Sequence, residues 1–342
     1  MFVHFVLAGV FMYLLARSLG LGRAGGIIAG AVFTCNGFVM ALLYLGHMCP
    51  IQSYIWLPAV ILLLNRALRS SRPYMAASTA GFLWGLQILA GAPQDAFYTF
   101  LASLLFFLCQ ANLFSKRPRE SARLLAVPFI IFLVGAGISA IQILPALEFV
   151  NESVRTGLDS YEMVTRGSYP PQGIITTLIP HFFGNYAESN VWVGNMPWSI
   201  PQQNLYVGIL PLLLLFFLSL GREDNRRIVV FAVILAATAL VLSFGHHTPL
   251  YKIAYLFPGF DRFRAPSKII VLWVFSLGLL AGKGMDGLLN IERRRALRRC
   301  AVCLSLFMGF LVLDLIFLAE KSALLKAFSF FILPEAIPTK MA

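Results

Sequence analysis

The fold of this chain is decided by stretches such as Ile269-Ile270-Val271-Leu272-Trp273-Val274-Phe275-Ser276-Leu277-Gly278-Leu279-Leu280-Ala281, which contains no charged side chain. Leu210–Leu220 and Ile228–Ser243 have the same character. Such runs approach the length that a bilayer requires. The 342 residues are 59% hydrophobic and only 12% charged, about half the charge density of a soluble domain. The composition predicts an all-α, polytopic membrane protein that forms a single integral membrane domain over residues 1–342.

The apolar pattern predicts a bundle of about ten transmembrane helices. The segments cover approximately residues 1–17, 26–45, 53–65, 75–92, 95–114, 124–146, 206–220, 228–244, 268–283 and 300–319. The segment at 53–65 is short enough to be tilted or partly re-entrant.

The loops that join these segments alternate along the chain between basic loops and less basic loops. Five loops are basic and contain Arg17 and Arg23; Arg66, Arg69 and Arg72; Lys116, Arg117, Arg119 and Arg123; Arg222, Arg226 and Arg227; and Arg293, Arg294, Arg295, Arg298 and Arg299. The other loops are residues 47–50, residues 92–95, a long loop at about 147–205 and the stretch 244–268. Because cytoplasmic loops carry the excess of Lys and Arg, the pattern predicts a multi-pass membrane protein with the second set of loops outside. The net charge of +12 then reflects topology and lipid contact, and no nucleic-acid partner is predicted.

A cluster of three cations departs from this rule, because Arg262, Arg264 and Lys268 lie within seven residues of an outer loop. Pro266 biases Ala265 away from helix, and an extended Arg-x-Arg presents two planar guanidinium groups to phosphate oxygens. Contact with lipid headgroups explains one such cation. Three of them in so short a stretch favour a bound polyanion.

The outer loops also contain acids and other polar side chains. Asp95, Glu148 and Asp261 are candidates for a general base or a metal ligand, although each can equally be the partner of an arginine. The further outer-face candidates are His47, Gln94, His181, Asn185, His246 and His247. Adjacent histidines point to different faces, so His246 and His247 form a poor metal site, whereas one of them can bind a phosphate or shuttle a proton. No metal or cofactor is predicted with certainty, and a divalent cation stays an option.

Several short motifs, taken in order along the chain, resemble those of the bacterial YfhO-type membrane proteins. They are Gly46-His47 with Pro50 and Gln52, Gly91-Ala92-Pro93-Gln94, Pro145-Ala146-Leu147-Glu148, Pro180-His181-Phe182-Phe183-Gly184-Asn185, Tyr206-Val207-Gly208 and Phe263-Arg264-Ala265-Pro266-Ser267-Lys268. The resemblance spans roughly residues 1 to 290 and implies membership of the GT-C glycosyltransferase superfamily. It implies a multi-pass protein of the bacterial cytoplasmic membrane that transfers a sugar from a polyprenyl-phosphate carrier to a cell-envelope glycopolymer outside that membrane. Arg262, Arg264 and Lys268 would then hold the phosphate of the donor, and a carboxylate would deprotonate the acceptor hydroxyl.

The chain departs from the GT-C pattern at both termini. The resemblance implies a key acid in the first outer loop and an outer domain at the C-terminus, and neither is found here. We therefore expect that the chain is a fragment of a longer protein. Two alternatives remain, a transporter or flippase of lipid-linked saccharides and a noncatalytic membrane scaffold. A transporter should show charges along a path inside the membrane and paired half-helices. Only Asp314 is a clear intramembrane charge, which weighs against this alternative.

Overall fold

A computed structural model describes residues 2–111, 118–152, 160–180, 204–218, 223–290, 298, 302, 304–309 and 312. All regular structure in these ranges is helical, and they contain no strand. The α-helices are α1 Phe2–Ser18, α2 Arg23–Thr34, α3 Gly37–Tyr44, α4 Met48–Tyr54, α5 Trp56–Arg69, α6 Pro73–Leu89, α7 Pro93–Gln110, α8 Pro118–Glu152, α9 Tyr161–Val164, α10 Ile209–Leu214, α11 Glu223–Ser243, α12 Pro249–Tyr255 and α13 Ile270–Leu289.

Five helical stretches are long and apolar enough to cross a membrane. They are Arg23–Tyr44, Met48–Arg69, Ser121–Phe149, Arg226–Ser243 and Pro266–Leu289, and they confirm the predicted segments at 26–45, 53–65, 124–146, 228–244 and 268–283. The segment predicted as short at 53–65 is longer than expected, because α4 precedes α5 with only Ile55 between them. In its described part the chain is therefore all-helical, with five stretches that have the length and composition to cross a membrane.

The other predicted segments have mixed outcomes. Helices α1, α6 and α7 lie where segments 1–17, 75–92 and 95–114 were predicted, but none of them is among the five candidate spans. In segment 206–220, of which residues 206–218 are described, the regular structure is the short helix α10 and a 3-10 turn, Leu215–Phe217. Most of segment 300–319, including Asp314, lies outside the described residues. The count of ten helices stays a prediction.

The first candidate span is broken at Cys35 and Asn36, between α2 and α3. The Asn36 side chain stabilises both sides of the break. Its amide group donates to the carbonyl of Phe33 (2.8 Å), and its oxygen accepts from the backbone N–H of Val39 (3.0 Å), which caps α3. A side chain that satisfies freed backbone groups allows a helix to break within a membrane.

Helix α13 lies at the centre of the bundle and packs against α2, α10 and α11. Two glycines allow α2 and α13 to approach closely, since a Cβ added to Gly25 would lie 2.5 Å from the carbonyl oxygen of Gly282. Small residues at a helix interface permit such backbone contact between membrane helices. Asp286 fixes the same pair, because its carboxylate accepts the backbone N–H of Gly22 at 2.7 Å, at the N-terminus of α2.

Contacts between loops divide the bundle into two ends. At one end, which we call the basic-loop end, Asn65 donates to the carbonyl of Ser18 (3.3 Å), and Arg123 donates to the carbonyl of Ser71. At the opposite end, Gln94 donates to the carbonyl of Arg264 (2.8 Å). These contacts bring the first three basic loops together at one end, and the loops at 92–95 and 244–268 together at the other.

Candidate functional site

The basic cluster, residues 260–268, is attached to the first turns of α7 by aromatic packing. The ring of Phe97 lies 5.3 Å from that of Phe260 and 5.5 Å from that of Phe263, centroid to centroid. Gly259 has φ +101°, and a Cβ there would lie 2.6 Å from the Phe97 ring. A glycine is therefore needed at the point where the loop passes over α7.

Gln94 forms the second attachment. It is 8% exposed, and its amide group donates to the carbonyl of Arg264 and to the hydroxyl of Tyr98, both at 2.8 Å. The motifs around residues 94 and 264, which lie far apart in the sequence, therefore meet in the structure. Pro93 supports this arrangement, since it occupies the first turn of α7, where a missing N–H has no cost.

The backbone of the basic cluster differs from the predicted extended form. Arg262 lies in a turn in which its N–H donates to the carbonyl of Gly259 at 3.3 Å. Ala265 has φ +57°, a left-handed conformation, and Pro266 then begins the 3-10 turn Pro266–Ile269 that contains Lys268. The prediction that Ala265 is not helical is confirmed, but the prediction of an extended Arg-x-Arg is wrong because the turn at Arg262 interrupts it.

Both arginines of the cluster nevertheless reach the surface. The side chain of Arg262 is 61% exposed and pairs with the carboxylate of Asp261 at 3.2 Å. Asp261 also accepts the backbone N–H of Gly259 at 3.0 Å. Pairing and loop stabilisation thus account for Asp261, whereas Arg264 is exposed and only its backbone is held by Gln94.

Asp95 lies behind this surface. It is 8% exposed, and burial raises the pKa of its carboxyl to about 7, against the opposing effect of the positive charge of Lys268. Among the described residues no ion pair within 4.0 Å joins the two side chains. Asp95 is therefore a buried carboxyl group near the charge of Lys268, with a proton affinity suited to proton transfer near neutral pH.

A chain of polar groups leads from Asp95 into the bundle. Thr99, one turn further along α7, donates to the carbonyl of Asp95 at 3.0 Å, and Gln87 of α6 donates to the Thr99 hydroxyl at 2.8 Å. Gln87 also donates to the carbonyl of Ser53 at 3.1 Å. The four-residue spacing from Asp95 to Thr99 and from Gln94 to Tyr98 is the sequence signal that predicts these contacts within α7.

The two histidines lie in the turn that precedes α12. Their rings are 4.0 Å apart, and burial and the neighbouring His246 both lower the pKa of His247. The backbone N–H of His246 donates to the hydroxyl of Ser168 at 3.1 Å, so this turn is attached to the described part of the long outer loop. Among the described residues no group of three His, Cys, Asp or Glu side chains could hold a metal ion.

The remaining predicted site residues are not brought to the basic cluster by any described contact. His47 is half-buried in the turn before α4, and Glu148 is exposed near the end of α8, which packs mainly against α6. His181 and Asn185 lie outside the described residues. The structure thus brings together Gln94, Asp95, Arg262, Arg264 and Lys268, and their roles as site residues stay a prediction.

Comparison of the chain with protein-family models, with curated proteins and with solved structures finds no match.

Proposed function

We propose that this protein transfers a sugar from a polyprenyl-phosphate donor to a cell-envelope glycopolymer at the outer face of the bacterial cytoplasmic membrane. The proposal includes a GT-C-like bundle of about ten helices. The observation that carries it is the buried carboxyl group of Asp95, beside Lys268 and behind the exposed arginines. A transferase for an anionic lipid donor needs such a base next to a site for the departing phosphate.

The reaction assigns one role to each kind of group. An acceptor hydroxyl attacks the anomeric carbon of the sugar, and the bond from that carbon to the phosphate oxygen breaks. The phosphate leaves with the electron pair of this bond and stays on the polyprenyl chain, where Arg264 and Lys268 would stabilise its charge. The proton of the acceptor passes to the carboxylate of Asp95. The steps assigned to these residues include no metal.

Attachment by the backbone suits this role. Gln94 holds the loop through the carbonyl of Arg264, so the guanidinium group of Arg264 is left at the surface. A planar guanidinium can donate two hydrogen bonds to a phosphate. Lys268, half-buried, supplies a compact charge nearer to Asp95.

The test uses membranes that contain the full chain, supplied with radiolabelled polyprenyl-phosphate sugar. We expect label to enter the envelope polymer, and we expect Asp95→Asn and Arg264→Gln each to slow transfer by about 100-fold or more. Arg69→Gln is the matched control, since Arg69 is an exposed cation at the basic-loop end. Normal transfer by both site variants would overturn the assigned roles.

The same preparation separates the alternatives. Movement of intact lipid-linked sugar across the membrane without cleavage would indicate a flippase. Neither cleavage nor movement, with the protein folded, would indicate a noncatalytic scaffold. Both outcomes contradict the transferase.

A further inference from the structure

Helix α12 and the two residues that follow it expose an apolar face that no described residue covers. Leu250, Ile253, Leu256 and Phe257 are 51%, 55%, 80% and 61% exposed. Their spacing of three, three and one residues places them on one side of α12 and of the turn that follows it. A contiguous apolar surface of this kind marks contact with a partner or with lipid.

The opposite face of α12 is fixed in place. Tyr251 is 3% exposed, and its ring lies 6.2 Å from that of Phe260 and 6.4 Å from that of Tyr161. The ring of Tyr255 lies 5.5 Å from that of Tyr161. Because aromatic packing sets the orientation of α12, the exposure of its apolar face is a feature of the folded molecule.

The location of α12 indicates what covers this face. It follows the candidate span Arg226–Ser243 and precedes the candidate span Pro266–Leu289. Both ends are therefore held close to one membrane surface. A short amphipathic helix in this position can bury its apolar side at the boundary between headgroups and acyl chains.

The charges near α12 indicate which lipids it meets. Lys252 is exposed on α12, and Arg262 and Arg264 are exposed in the loop that follows. Asp261 offsets the charge of Arg262, so the remaining charged side chains within residues 250–264, those of Lys252 and Arg264, are both cationic and exposed. Such a border attracts anionic headgroups.

We propose that α12 lies in the plane of the membrane interface, with Leu250, Ile253, Leu256 and Phe257 among the acyl chains and Lys252 at anionic lipid headgroups. The occupant of the apolar face is thus the bilayer itself. This inference does not depend on sugar transfer, since it concerns the way the outer loop is held on the lipid.

The test places the photoreactive residue p-benzoylphenylalanine at position 253 or 256 of the full chain. The protein is reconstituted in vesicles of phosphatidylglycerol and phosphatidylcholine and irradiated. We expect phospholipid adducts at both positions, enriched in phosphatidylglycerol relative to the vesicle composition. Position 162 is the control: Glu162 is an exposed acid on α9, whose neighbour Tyr161 packs against the inward face of α12, and we expect no lipid adduct there.

A second variant tests whether the charge of Lys252 selects anionic lipid. Lys252→Gln should lower the enrichment in phosphatidylglycerol by up to about fivefold, since one cation near an anionic surface contributes about that factor. Lipid adducts at 253 and 256 that do not exceed those at 162 would overturn the proposal. Crosslinks from 256 to another part of this chain, to a second copy or to another protein would overturn it as well.

Discussion

Replacement of Lys268 by Gln is expected to raise the pKa of Asp95 above its value of about 7. Burial raises the pKa of this carboxyl from 3.8, and the charge of Lys268 is the opposing effect. A nearby cation lowers a carboxyl pKa by about 1 to 3 units. Because Lys268 is not in contact with Asp95, we expect an increase near the lower limit, about 1 unit.

The raised pKa also has a consequence for stability. The shift from 3.8 to about 7 is roughly three units, which corresponds to about 4 kcal/mol. Since the folded pKa lies above the unfolded value, the stability that protonated Asp95 contributes is present below pH 3.8 and is lost as the pH rises through about 7. Asp95→Asn, which cannot ionise, should therefore raise the thermal midpoint more at about pH 8 than at about pH 4.

The assay is an infrared titration of the protein in lipid vesicles. The difference between wild-type protein and Asp95→Asn isolates the carboxyl band of Asp95, so the measurement needs no knowledge of a substrate. The midpoint should lie near pH 7 in the wild type and higher in Lys268→Gln. Arg69→Gln should leave it unchanged. A wild-type midpoint near the ordinary carboxyl value, or an unchanged midpoint in Lys268→Gln, would refute the reasoning.

Two further substitutions test the packing and the backbone. Gly282→Leu should destabilise the bundle by at least about 1–3 kcal/mol, because a Cβ there would lie 2.4 Å from the carbonyl oxygen of Gly25. Gly137→Leu is the control and should be tolerated, since no atom lies near its added Cβ. Equal thermal midpoints of the two variants in detergent would contradict the close contact. Ala265→Val should lower the thermal midpoint, because a β-branched residue disfavours φ +57°. Ala265→Gly should have a thermal midpoint equal to or above that of the wild type. An unchanged thermal midpoint in Ala265→Val would contradict the left-handed conformation.

The membrane helices could be predicted from sequence because their signal is local. A run such as residues 228–243 has no stable state in water and too few polar groups to form a loop. The grouping of the loops into two ends also followed from sequence, because the positions of the arginines report it directly. Neither inference needs contacts between distant residues.

The break at Asn36 and the shortness of α10 could not be predicted in the same way. Residues 26–45 are predominantly apolar, and the break depends on polar contacts of Asn36, including one to Tyr54 of another helix at 3.3 Å. The same holds for the site. Gln94 and Arg264 were each candidates, but their contact depends on how α7 and α13 pack, which composition does not specify.

The way the basic cluster is attached explains how its cations can serve a ligand. Phe97 holds it through aromatic rings, and Gln94 holds it through a backbone carbonyl. Neither attachment uses the guanidinium group of Arg264 or the ammonium group of Lys268. A loop fixed by ion pairs would have its charges neutralised, and binding an anion would require those pairs to be broken. Because this loop is fixed mainly by apolar and backbone contacts, it can present positive charge at the surface while its position beside Asp95 stays constant.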